Sequence, residues 1–239
     1  MNNMLKELAQ YIVDLRKPEI KEFNGIQYTD KHLETIKMPL ADSLKTQTLT
    51  SIVDYINKGA DGLSSDYLLV HILNEQTVLI YSRLLKLRER EQFIHASAQV
   101  PCIQFGRYMD LESFNIMLQS QFIRTETVEK LLKLVGNITD ETVMNASDDG
   151  VTQKVTVRKG IVQIGKETVP NPVVLQPYRT FSEAEQPESR FVYRFKSDES
   201  GIYCALFEGD GGAWKSQAIQ NIKKYLEDNI DRKSVQILA

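Results

Sequence analysis

The chain has 239 residues, 42% of them hydrophobic and 26% charged, with a formal net charge of -3. That is enough chain to bury a sizeable core. The mild acidity supports solubility and excludes a basic footprint spread over the whole chain, though not a local basic groove.

Leu5, Leu8, Ile12 and Leu15 recur at helical spacing, so the chain opens with an amphipathic helix that Pro18 ends. Residues 20–28 alternate around Asn24-Gly25, a pair suited to a tight hairpin turn. A second helix is expected over 44–57, with Leu49, Ile52, Val53 and Ile56 on one face. From Tyr67 the period changes to that of strands. Stretches 67–73 and 77–87 read as a hairpin around Asn74-Glu75, and 91–98 as a further strand. Asp110 and Thr125 each cap a helix, and Gly136-Asn137 ends the second of them. A helix-like segment precedes Asp148. Stretches 151–157 and 161–164 then pair across Lys159-Gly160.

Residues 165–189 differ from everything before them. They hold Pro170, Pro172, Pro177 and Pro187 among apolar side chains of a kind that packs, Val173, Leu175, Tyr178 and Phe181. Proline removes donors and fixes φ, so an ordered arm without regular secondary structure is expected. A final hairpin over 191–207 turns at 198–201. A helix with Trp214, Ala218, Ile222, Tyr225 and Leu226 inward follows from Ala213, and 234–238 closes as a strand.

Asp148-Asp149-Gly150 reads as a turn before a strand, with a divalent cation on the two carboxylates as the alternative. Arg179 is suited to hold an anion bidentately or to pair with Glu183, Glu185 or Glu188 and so order the arm. Glu208-Gly209-Asp210-Gly211-Gly212 joins a strand to a helix. Its acidic residues would repel a phosphate from the helix N-terminus, and it lacks the pattern of a phosphate-binding loop, so it reads as a tight turn with acidic capping. Arg83, Lys86 and Arg88 form one basic stretch and Lys154 and Arg158 another. Either they hold single-stranded nucleic acid or they protect a strand edge with charge. The two cysteines, Cys102 and Cys204, lie in apolar, strand-like contexts and read as buried reduced thiols. No cysteine or histidine spacing suits a metal, so neither metal nor cofactor is expected. No apolar run is long enough for a membrane span or a signal peptide, so an intracellular protein is expected.

The second half, roughly 65–239, resembles the YfdQ-like family of uncharacterised phage and prophage proteins. The residues that carry the resemblance are Asp148-Asp149-Gly150 with Gln153, the run Pro170-Asn171-Pro172 through Pro177-Tyr178-Arg179-Thr180-Phe181, and Gln186-Pro187-Glu188-Ser189. Glu208-Gly209-Asp210-Gly211-Gly212-Ala213-Trp214 and the central Phe105-Gly106-Arg107 with Leu111, Glu112 and Phe114 complete them. The resemblance implies bacteriophage origin and expression in the cytoplasm of an infected bacterium. It brings no catalytic residue and no cofactor.

The sequence is therefore read as one α+β domain over 1–239, mainly antiparallel sheet built from hairpins with peripheral helices. Residues 1–60 are its less recognisable part. The expected function is that of a non-enzymatic accessory protein that binds, as a homo-oligomer, a phage or host protein or another ligand. Two alternatives remain: a nucleic-acid-associated protein of phage recombination or replication, and a nucleotide or small-molecule binder or metal-dependent hydrolase. Asp148, Asp149, Gln153, Tyr178, Arg179, Glu208 and Asp210 are the candidate ligand or interface residues. Arg179 and the carboxylates of Asp148, Asp149, Glu208 and Asp210 are expected to converge on one face or subunit boundary.

Overall fold

The computed structural model describes residues 2–15, 17–24, 26–32, 39–63, 66–86, 88–136, 142–148, 153–159, 162–169, 172–198 and 201–239. Asp149 and the turn residues Gly25, Asn137, Gly150 and Gly160 lie outside them. The chain forms two compact units, 1–40 and 41–239. Residues 41–60, expected with the less recognisable first part of a single domain, belong with the larger unit.

The first unit holds helix α1 (Asn2–Asp14) and the hairpin of β1 (Ile20–Phe23) and β2 (Ile26–Thr29). Asn24 takes a positive φ of 53°, as the hairpin turn requires. Lys31 donates to the carbonyls of Leu15 and Lys17, placing a cation where α1 leaves its last acceptors unpaired.

The second unit is α+β with mostly antiparallel sheets. One sheet has five strands in the order β14-β4-β5-β6-β3. These are β3 (Leu44–Thr46), β4 (Leu68–Asn74), β5 (Thr77–Ser82), β6 (Gln92–Ser97) and β14 (Val235–Leu238). Its two edge strands, β14 and β3, pair in parallel and its inner strands antiparallel. Helices α2 (Leu49–Asn57) and α5 (Ala213–Asn229) cover one face, burying Leu49, Ile52, Ile56, Ile222 and Leu226 against Leu68, Val70, Ile80 and Ile94. The helix expected over 44–57 is thus shorter. Thr48 is extended and accepts from the Ser51 N–H at 3.3 Å, so helix can begin only after it, and residues 44–46 pair with β6 instead.

A second sheet has the order β11-β12-β13-β7, from β7 (Met109–Asp110), β11 (Val173–Leu175), β12 (Ser189–Asp198) and β13 (Gly201–Glu208). Helices α3 (Leu111–Gln121) and α4 (Glu126–Gly136) pack on it through Phe114, Leu118, Val128 and Leu131 against Val173, Leu175, Phe191, Tyr193 and Leu206. Asp110 caps α3 by accepting from the Ser113 N–H at 2.9 Å, and Thr125 accepts from the Val128 N–H at 3.3 Å, as their sequence positions predict. A third sheet, β10-β9-β8, consists of β8 (Thr142–Asp148), β9 (Gln153–Lys159) and β10 (Val162–Val169). Residues 142–148 form a strand rather than the expected helix-like segment, because each pairs with β9.

Cys204 is buried beside the Tyr193 hydroxyl, which lies 3.3 Å from its sulfur, and burial pushes its thiol up to about 11. Cys102 is exposed, contrary to expectation. It follows the end of β6 rather than lying in a strand. Among the described residues no helix is long and apolar enough to cross a membrane.

Candidate functional site

The arm is regular at its start and irregular thereafter. Strand β10 runs through Val169 and β11 occupies Val173–Leu175, so the expectation of an irregular arm from 165 onward holds only for 176–188. There a single bridge, Pro177 to Phe122, is the only strand-like pairing among the described residues. Buried backbone must find partners, and a glutamine supplies them. The Gln186 side-chain oxygen accepts from the N–H groups of Arg179 (2.9 Å) and Thr180 (3.2 Å), and its amide nitrogen donates to the carbonyl of Phe181 (2.9 Å). The arm is also pinned to the β4–β5 turn. The Thr180 hydroxyl donates to the Glu75 carbonyl at 2.6 Å, and Gln76 donates to the Arg179 carbonyl at 3.2 Å. Phe181 and Ala184 then drop into the core under the five-stranded sheet.

These ties leave Arg179 buried. Its Nη1 donates to Glu208 at 2.9 Å and its Nη2 to the Ser189 hydroxyl. The guanidinium carbon lies 3.9 Å from the centre of the Trp214 ring and 5.6 Å from that of Phe191. Both distances are within range for a cation on an aromatic face. Burial pulls its pKa down to about 10 against the upward pull of Glu208 and Asp210, so it stays charged at neutral pH. The internal ion pair is therefore made with Glu208, far along the chain, and not with Glu183, Glu185 or Glu188. Glu183 instead accepts from the backbone and hydroxyl of Thr50 at the start of α2.

The turn from β13 to α5 completes the cluster. Gly212 has φ 83°, a conformation that favours glycine, and leads directly into the helix. Its N–H is taken by the Asp210 carboxylate at 3.1 Å, so the acidic residue caps its own turn and occupies the place an anion would need. Gly209 passes close to β12: an added Cβ would meet the Arg190 carbonyl oxygen at 3.2 Å. Ser189 donates to Asp210 at 2.7 Å. Burial raises the Asp210 pKa, but the bonds from Ser189 and Gly212 and the charge of Arg179 outweigh it and hold the carboxyl below its ordinary value.

Arg179, Ser189, Glu208, Asp210 and Trp214 thus form one connected cluster, and it borders a groove of about 870 Å³. Val174 and Arg190, opposite each other on β11 and β12, form one side, residues 185–188 of the arm another, and Asp210 with Ala213, Trp214, Gln217 and Asn221 of α5 the third. Gln217 donates to Asn221 at 2.8 Å, and Asn221 to the Glu185 carbonyl at 2.8 Å, closing α5 onto the arm.

Of the residues singled out in the sequence, Arg179, Glu208 and Asp210 come together. Tyr178 is half-exposed, its N–H tied to the Gln121 carbonyl, and it does not line the groove. Asp148 and Gln153 stand opposite each other in β8 and β9. Asp148 therefore ends a strand of the third sheet, and Asp149 lies outside the described residues. Arg83, Lys86 and Arg88 lie between β5 and β6, outside any strand, whereas Lys154 and Arg158 belong to β9 of the third sheet. Among the described residues no group of three or more metal-ligating side chains assembles. Sequence reasoning missed the central parts played by Gln186, Ser189 and Trp214. Gln186 and Ser189 sit in a run whose oddity is visible in the sequence but whose partners are not.

The cluster is poorly built for nucleophilic catalysis. Ser189 is 4% exposed and already donates to a carboxylate held below its ordinary pKa, which makes that carboxylate a weak base. It is well built as the rigid wall of a cavity. Comparison with protein-family models, with curated proteins and with solved structures finds no match to this chain.

Proposed function

We propose that the chain is a phage- or prophage-encoded accessory protein that acts by binding rather than by catalysis, and that its ligand sits in the groove between the arm and α5. One observation carries this reading. An open groove of ligand size is walled by an irregular segment that Gln186 and Arg179 hold in a single arrangement. Loops fixed in this way on a sheet scaffold are where binding residues concentrate. Among the described residues, the groove presents carboxylates from Glu185, Glu188 and Asp210 and a single cation, Arg190, in its amide and apolar lining. That balance disfavours phosphate-bearing ligands, and with them the nucleotide and nucleic-acid alternatives at this site. Self-association is part of the reading. The 13-residue α1 carries Leu5, Leu8 and Ile12, all at least half exposed, and a helix of that length is marginal without an apolar partner, here a second copy.

The single tryptophan makes the groove testable. Fluorotryptophan-labelled protein should give one fluorine resonance that shifts on titration with members of a panel of short peptides, sugars and nucleotides. The shift should vanish in Gln217→Phe, which fills the groove. A panel that moves nothing, or shifts that persist in the filled variant, would count against groove binding. A light-scattering mass equal to one chain at high concentration would remove self-association.

A further inference from the structure

We infer that Arg179 is the positioning residue of the groove: from behind the wall, it fixes the Trp214 ring by stacking and the Asp210 carboxylate through Ser189. That role rests on the groove being the binding site. Arg179 does not line the groove, yet its cationic head contacts two of the residues that do, Trp214 and Ser189, and reaches a third, Asp210, through Ser189. The guanidinium is planar. It lies 3.9 Å from the Trp214 ring centre while its two terminal nitrogens point to Glu208 and Ser189. Three directions are thus fixed at once, which a lysine ammonium on a flexible stem cannot reproduce. Ser189 passes the constraint on, because its hydroxyl accepts from Arg179 and donates to Asp210 at 2.7 Å.

The arrangement links the groove's walls. Ser189 opens β12, Asp210 sits in the turn before α5, Trp214 is in the first turn of α5, and Arg179 belongs to the arm. Removing the guanidinium would loosen the turn and the helix start together while leaving the Gln186 bonds, which hold the arm's backbone, in place. Glu208 has a different part. Its side chain is 42% exposed, so it balances the charge from the solvent side and orients nothing in the groove.

Acrylamide quenching of Trp214 fluorescence tests this in the full chain, read well below the unfolding temperature. Arg179→Met and Arg179→Lys should each raise the quenching constant about threefold, since neither side chain stacks flat on the ring. Glu208→Gln, which keeps the stack, should stay near the native value. In Arg179→Lys and in Ser189→Ala the titration midpoint of the Asp210 carboxyl carbon should move up towards the ordinary value. Native quenching in both Arg179 variants, with only a lowered melting temperature, would make Arg179 a plain clasp and overturn the role. So would a rise in Glu208→Gln as large as that in Arg179→Met. If Arg179→Met does not fold, Arg179→Lys and Ser189→Ala still decide the matter. These outcomes concern wall geometry alone, so they separate from failure of the groove reading, which the ligand panel would reveal.

Discussion

Two arginines tie distant segments of the larger unit together, and they do it with different partners. Arg232, between α5 and β14, donates to the carbonyls of Ile56 (3.2 Å), Leu63 (2.8 Å) and Asp66 (2.8 Å) and to the Ser234 hydroxyl (3.2 Å). All these acceptors are neutral, and the first is a carbonyl of the last turn of α2. Arg179 meets a carboxylate, a hydroxyl that itself binds a carboxylate, and two aromatic rings. The first arrangement completes a backbone: it satisfies acceptors that a helix end and a following turn leave open. The second gathers charge and an aromatic face beside a cavity, more than closing a loop requires. An arginine surrounded by carbonyls therefore reads as scaffold, and one surrounded by ionised and aromatic groups at a groove edge reads as part of a site.

Arg179→Met leaves the half-exposed Glu208 and the bridged Asp210 without their cation and strips a face of Trp214. A loss of about 3 kcal/mol is expected, the lower end for breaking a buried pair because Glu208 is partly screened. In a domain of this size that is a fall of about 9 °C in Tm, read by thermal denaturation. A fall of under about 2 °C would place Arg179 with ordinary surface ion pairs. Gln186→Leu should come next, at about 2 kcal/mol, since it leaves the buried N–H groups of Arg179 and Thr180 without acceptors. Urea denaturation should show the loss as a lower midpoint at unchanged slope.

Arg232→Ala should cost about 1.5 kcal/mol, the value of a charge-assisted bond to backbone where solvent can partly replace it. Trp214 fluorescence should not change, because none of the acceptors of Arg232 borders the groove. A red shift of the emission in Arg232→Ala would show that the two clasps are coupled after all.

Local signals in the sequence are legible where a single residue meets its own neighbours. Asn24 at the hairpin turn, Asp110 and Thr125 at helix starts and Gly212 before α5 all act within three residues of themselves. What stays hidden depends on partners remote in sequence. Leu44–Thr46 looks helical because its strand partner, β6, follows much later in the chain. Residues 142–148 read as helix-like because so short a stretch, with Val143, Met144 and Ala146, fits either period until pairing with β9 decides. Arg179 is expected to hold an anion or to pair with the nearest glutamates, but its partner is Glu208, remote in sequence. The gathering of Arg179 with Glu208 and Asp210 is anticipated by special-backbone turns bearing charge. The part of Gln186 is not, since nothing distinguishes an amide that replaces secondary structure from one in solvent. Arg232 has no flanking motif at all.

The smallest expected effect is on acid stability, and its sign follows from Asp210. The folded carboxyl lies below its ordinary value of 3.8, because the bonds from Ser189 and Gly212 and the charge of Arg179 favour the ionised form more than burial opposes it. A group whose pKa is depressed by folding contributes stability that is complete above its unfolded pKa. That contribution is lost as pH falls through the folded value, because the native state must then take up a proton it resists. Wild-type protein and Asp210→Asn should therefore differ in stability by a constant amount at neutral pH. The difference should shrink only below about pH 4, where the carboxyl of the unfolded chain takes up a proton that the folded one still resists. The substituted amide keeps an oxygen for Ser189 and Gly212 but carries no charge for Arg179, so the constant part measures the ionic share of the cluster. Urea midpoints at steps from pH 3 to pH 7 would check this. A difference that grew on acidification would mean that folding raises the Asp210 pKa instead.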